Sequence, residues 1–275
     1  MRGAMRGFTL IELVMVILLL GIMATFTSQF IGIGTQIYGD ASSREQLMSD
    51  ARFAMERLNR ELRDAVPGSE RIEDRNGNWL DEGACLRFWP ISASSRYLAL
   101  NRAISGSSAT LELVMATPAS VTNPLSVDAA AVSKGDKMIV FPVPDKHAGS
   151  LATNCEFGRC VASVTDVLAP VSGVQSIRYT SAQTLAGLSP GSRVYFAREQ
   201  VRYCVEGGTI TRSSAAIGAS FPAQGVLMAD SLRTGVFYRE TSAFNAEGEF
   251  GVRFVFERRG ESVIFNHKIG VFNVP

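Results

Sequence analysis

The chain has 275 residues, 46% hydrophobic and 19% charged, which is enough for a sizeable core and too apolar for a disordered chain. Lysine and arginine total 27 against 26 acidic residues, so the gathered basic excess of a general nucleic-acid binder is missing and no nucleic-acid partner is expected. Two histidines and four cysteines, of which just Cys155 and Cys160 lie close together, leave too little for a zinc site built from two close Cys/His pairs.

The first predicted element is an apolar span. From residue 8 to residue 26 every residue is apolar or small apart from Glu12. About 19 residues make roughly 28 Å of helix, close to one hydrocarbon core. Arg2 and Arg6 precede the span, and after Glu12 no charge occurs until Asp40. The positive-inside rule therefore predicts a cytoplasmic N-terminus with the remainder on the far side. A secretory signal peptide is a poor alternative, because Thr25-Phe26-Thr27-Ser28 matches its small-x-small cleavage site weakly. A plain anchor leaves Glu12 unexplained, since a carboxylate at membrane depth costs up to about 3 kcal/mol and calls for a partner.

The helix is predicted to continue past the membrane. Leu47, Ala51, Ala54, Met55, Leu58, Leu62 and Ala65 mark one face of a 3.6-residue period. Arg44, Glu45, Asp50, Arg52, Glu56, Arg57, Arg60, Glu61, Arg63 and Asp64 interleave both signs, which reads as a solvated face with four-apart pairs at Glu56/Arg60 and Arg57/Glu61. Pro67-Gly68 is the expected stop, and Gly32, Gly34 and Gly39 are an expected weak point between the two halves. The predicted organisation is a leader at 1–7, a transmembrane segment at 8–38, an amphipathic helix at 39–66 and a β-rich domain at 67–275.

From residue 69 the pattern turns to short strands, predicted at 85–89, 97–100, 110–115, 137–143, 174–179, 193–205 and 209–212. Residues 250–257 and 262–269 flank Arg258-Arg259-Gly260-Glu261 and read as a hairpin. The stretches 116–136 and 213–231, rich in small residues, read as exposed loops. Four cysteines allow three pairings. A domain beyond the membrane faces an oxidising compartment. Cys155 and Cys160 then need just a tight turn to join, and Cys85 and Cys204 would tie two strands together.

Gly7-Phe8-Thr9-Leu10-Ile11-Glu12 followed by an apolar run resembles the N-terminal signal of type IV prepilins and type II secretion pseudopilins. The resemblance implies cleavage between Gly7 and Phe8 by a prepilin peptidase and N-methylation of Phe8. It also implies that Glu12 pairs with the N-terminal amine of a neighbouring subunit during assembly. The partners it implies are other major and minor pilins or pseudopilins, an inner-membrane assembly platform and the membrane itself; it implies no cofactor and no catalysis. The fold it implies is pilin-like α+β, a long helix packed on an antiparallel sheet domain. The globular part, through Gln200-Val-Arg-Tyr-Cys-Val205, Thr209-Ile-Thr-Arg212 and the late hairpin, is similar to J-type minor pseudopilins. Cys85-Leu-Arg-Phe-Trp-Pro90 is similar to a minor pilin of the mannose-sensitive haemagglutinin (MSHA) pili. The length of the chain, and the lack of a proline deep in the membrane helix, favour a minor subunit over a major one.

Two further signals point elsewhere. Gly187-Leu-Ser-Pro-Gly191 has the spacing of a nucleophile elbow, with His267 available as a base, but Pro190 and a following strand-like run oppose the strand–turn–helix that motif requires. Asp74, Asn76 and Asn78 alternate as in a calcium loop, yet Glu82 falls at position nine where twelve is needed, so a polar turn with Asn76-Gly77 at its tip is the expectation and no metal is assigned. Trp79 in that loop is a weaker candidate for an exposed contact.

Overall fold

The computed structural model describes residues 9–102, 106–114, 132–143, 159–182, 184–185, 187–239 and 249–270. It shows one long helix followed by an antiparallel, strand-rich domain, the expected α+β architecture. Helix α1 (Leu10–Arg63) runs for 54 residues, about 80 Å at 1.5 Å per residue. It does not break at Gly32, Gly34 or Gly39. A Cβ at any of the three would meet nothing within 4 Å, so no packing among the described residues requires glycine there. The helix stops slightly before the expected Pro67-Gly68. Beyond its C-cap Asp64, Val66 N–H donates to Trp89 O (2.8 Å) and Ala65 bridges Pro90, so the chain is captured by a strand.

The strands are β1 (Arg71–Glu73), β2 (Glu82–Gly83), β3 (Cys85–Phe88), β4 (Ala93–Leu100), β5 (Ser108–Val114), β6 (Lys137–Val140), β7 (Val161–Val167), β8 (Val174–Thr180), β9 (Arg193–Ala197), β10 (Glu199–Glu206), β11 (Thr209–Ala216), β12 (Val226–Ala229), β13 (Leu232–Arg239), β14 (Glu249–Arg258) and β15 (Glu261–Gly270). They form a five-stranded sheet ordered β1-β3-β10-β11-β12, a four-stranded sheet ordered β15-β14-β13-β2, and a closed six-stranded barrel β4-β5-β8-β7-β6-β9. The C-terminal half of α1 lies on both open sheets. Its predicted stripe is buried throughout, against Leu86, Phe88, Val201, Tyr203 and Ile210 of the first sheet and Phe237, Phe250, Val252, Phe254 and Phe256 of the second. Phe237, Phe254, Phe256 and Phe265 meet edge to face in series, which adds directional contacts to the area they bury. The barrel has its own core, with Leu111, Ile177, Tyr179 and Phe196 fully buried in it.

The expected single strand at 193–205 is two strands in two different sheets. β9 closes the barrel, and β10 lies in the five-stranded sheet beside β3. Arg198 is the corner, held by its ion pair to the buried Asp136 (3.0 Å). The stretch 213–231 is also more ordered than expected, because β11 runs on to Ala216 and β12 pairs back on it. The barrel is therefore an insertion: the chain leaves the five-stranded sheet after β3 and re-enters it at β10, its neighbour, where Phe88 faces Val201. Val66, Trp89, Ile139, Cys160, Tyr195 and Ala197 form a small core at this junction.

Candidate functional site

The N-terminal half of α1 begins with a cap. Thr9 has extended backbone, and its Oγ1 accepts from the Glu12 N–H at 3.4 Å. This puts Glu12 at the third helical position of a Thr-x-x-Glu capping sequence, where the helix dipole favours an anion. From Thr9 to Tyr38 every residue is exposed, including Leu10 at 81%, Phe30 at 78% and Tyr38 at 77%. About 43 Å of apolar helix thus has no cover among the described residues. Three of its hydroxyls turn inward: Thr25, Thr27 and Thr35 donate to the carbonyls of Ile22, Met23 and Gly32 at 2.7–2.9 Å, so they suit a medium without water. It is a helix long and apolar enough to cross a membrane. Gly7 and Phe8, the predicted cleavage and methylation positions, lie outside the described residues.

The other half is pinned to the head through Glu61. Its carboxylate accepts from Arg57 Nε (2.9 Å) on the same helix, from Arg212 Nε (2.9 Å) on β11 and from Tyr203 OH (3.0 Å) on β10. Burial, and then the negative charge of Glu61, raise the Tyr203 pKa above its ordinary value. The hydrogen bond to Glu61 raises that of Arg57. The expected solvated face is thus corrected at Glu61, which turns toward the sheet. The four-apart spacing with Arg57 was the visible part of this node, and the rest depends on strand register.

Cys85 and Cys204 are disulfide-bonded, directly opposite each other on β3 and β10, three rungs from the Phe88–Val201 pair where the barrel insertion departs. Cys160 is also disulfide-bonded, while Cys155, its expected partner, lies outside the described residues.

The two signals that pointed elsewhere resolve into local structure. Asp74 Oδ1 accepts from the N–H groups of Asn76 and Asn78 (both 2.8 Å), and Oδ2 from the Asn78 amide (2.7 Å). Those bonds, the side-chain amide first, hold its carboxyl below the usual range. Gly77, at φ +87°, makes the turn. Trp79 is half-buried and close to Arg239 (5.9 Å) rather than displayed. Ser189 leads into β9, not a helix, and its Oγ accepts from Arg193 N–H at 3.1 Å. His267 lies on β15, in a different sheet from the barrel.

Sequence reasoning missed the buried charges behind the helix C-terminus. Glu70 and Glu73 are 5% and 0% exposed. Burial pushes the Glu70 carboxyl up to about 7, with Arg239 opposing. The sequence signal was a short alternation, Glu70-Arg71-Ile72-Glu73, whose sides are assigned by the pairing of β1 with β3.

Residues 2–28 match the family described as Prokaryotic N-terminal methylation motif. No curated protein and no solved structure matches the chain. The motif and the uncovered apolar helix support a membrane-anchored subunit of the pilin or pseudopilin type, a structural rather than a catalytic class. The motif implies processing by a prepilin peptidase and assembly with other pilin-type subunits.

Proposed function

We propose that this chain is a minor pilin or pseudopilin of the bacterial inner membrane that helps initiate or cap a filament. In this reading the head faces the periplasm. The filament is a type IV pilus or a type II secretion pseudopilus, and the J-type resemblance favours a place in the tip complex. Within pilus systems, the resemblance of the segment from Cys85 to Pro90 points to MshO of MSHA biogenesis. The observation that carries the reading is the division of α1: one half is bare, apolar and tipped by a lone carboxylate, and the other is sealed into a folded head. A subunit that moves from bilayer to filament needs both halves, because each environment covers the same apolar surface in turn.

The proposal requires cleavage after Gly7 and one methyl group on Phe8, and the intact mass of the mature protein decides it. A mature N-terminus elsewhere overturns the assignment.

The inserted barrel favours a second reading, an adhesive module displayed at a filament tip, since the helix and the two open sheets already form a pilin-like body without it. Deleting the gene separates the two. Loss of filaments identifies assembly, whereas intact filaments that no longer bind identify adhesion.

A further inference from the structure

We propose that Arg71, Arg87 and Arg202 form a binding site for an oxyanion, a carboxylate or phosphate group carried by a molecule outside this chain. Arg71 is paired with Arg87 across β1 and β3, and Arg87 with Arg202 across β3 and β10. Ile72, Leu86, Val201 and Tyr203, their neighbours in sequence, all enter the core beneath α1. Alternation therefore sends the three guanidinium groups to the opposite face, side by side on three adjacent strands. Like charges directly opposite each other destabilise a sheet.

The next rung along the strands holds Glu73, Cys85, Cys204 and Thr211, so Glu73 is the one carboxylate on these two rungs. It lies 3.3 Å from Arg87 Nη2 and 3.8 Å from Arg202 Nη1, and neither oxygen completes a hydrogen bond. On these two rungs three positive charges thus face one negative charge. Arg71 Nε and Arg202 Nε are buried donors without an acceptor, and such groups are costly to leave unmade. Burial, and then the like charge of Arg87, lower the Arg71 pKa, with Glu73 opposing. The Arg202 guanidinium lies over the ring of Phe221, 4.4 Å from its centroid. Arg87 and Arg202 keep 21% and 22% of their side-chain surface open, so the cluster borders solvent although its Nε atoms are buried. Planar forks with spare donors and surplus charge match carboxylate and phosphate oxygens.

The test uses full-length protein in detergent micelles, melted at fixed pH and ionic strength in chloride, phosphate, sulfate or glucuronate. An oxyanion that binds the folded state raises the midpoint with dose by several degrees beyond chloride. Arg87→Gln should abolish that rise. Glu73→Gln, which removes the internal competitor, should lower the half-saturating concentration roughly tenfold. A response to glucuronate alone assigns a carboxylate ligand, and a response to phosphate and sulfate alone assigns a phosphate-type one. Identical midpoints in all four salts, or an unchanged dose response in Arg87→Gln, overturn the site. If Arg87→Gln does not fold, Arg71→Gln on the edge strand supplies the same comparison.

Discussion

Glu12 illustrates how one side chain can hold two roles. Inside the chain it occupies the first turn of α1, where the dipole and the Thr9 cap contribute about 0.3–1 kcal/mol. In the proposed filament contact the same carboxylate would face a neighbour's amine, pairing that offsets the desolvation of both charges, and removing it would make insertion easier rather than harder. We therefore expect Glu12→Ala to be processed and inserted normally but depleted from sheared filaments, as read by immunoblot of filament and membrane fractions. Wild-type incorporation would sink the pairing idea. Glu70 presents the opposite case, a carboxyl that is better neutral. Its folded pKa of about 7 lies above the ordinary 4.5, so the folded state holds the proton longer than the unfolded chain. Stability from this group is complete below about pH 4.5 and is lost as pH rises through 7, by roughly 3 kcal/mol at 1.36 kcal/mol per unit. Glu70→Gln should match wild type at pH 5 and exceed it at pH 8 in denaturant melts. Parallel pH profiles would refute the assignment. Neither Glu70 nor the Glu61 node was legible as such in the sequence. A charge beside an apolar stripe looks the same whether it meets water or a strand from 142 residues away.

Among the elements, legibility followed the range of the interactions. The amphipathic half of α1 and the β14–β15 hairpin were readable because their periods and turn residues are local. Arg258 pairs with Glu261 across the expected tip, where Arg259 and Gly260 both take positive φ. β7 escaped notice because Ala162, Ser163, Thr165 and Asp166 dilute its alternation, and its strand state is imposed by β6 and β8 on either side. The split of 193–205 was invisible because both halves have strand character, and the change of sheet at Arg198 depends on partners far away in sequence. The disulfide closes the far end of the β3–β10 ladder. It joins strands 119 residues apart, and closing a loop of that length stabilises by about 5 kcal/mol in the chain-entropy treatment, before strain. Replacing Cys85 and Cys204 with alanine should lower the unfolding free energy, measured in denaturant melts, by most of that amount. Reductant should then have little further effect on this part of the molecule. A double variant as stable as wild type would mean that β3 and β10 are held by the sheet alone.

For the molecule as a whole, the decisive feature is that helix, two sheets and barrel form two main cores joined by a small third one. The pilin-like body comes from both ends of the chain, and the barrel enters and leaves through adjacent strands. This geometry allows excision. With Phe88 opposite Val201, continuing the register puts Trp89 against Gln200 and Pro90 against Glu199, so residues 91–198 can be replaced by the two-residue turn Asn-Gly, a favoured hairpin loop. Every residue of the helix core is kept, as are the Cys85–Cys204 bond and the Ala65–Pro90 bridge. What is lost is the junction, where Val66 and Trp89 become exposed; burial of two such side chains is worth about 1.5–3 kcal/mol each. The shortened chain should therefore fold with a lowered midpoint, insert into the membrane and melt in one transition. The intact protein should show two, one for each main core. If the barrel is a display module, filaments carrying the shortened subunit should still form and lose any surface binding. If the subunit acts in assembly through the barrel, filaments should fail even though the shortened chain is folded, which circular dichroism and the retained disulfide would establish. A shortened chain that cannot fold at all would show that the junction core is integral and that the barrel is no insertion in the energetic sense.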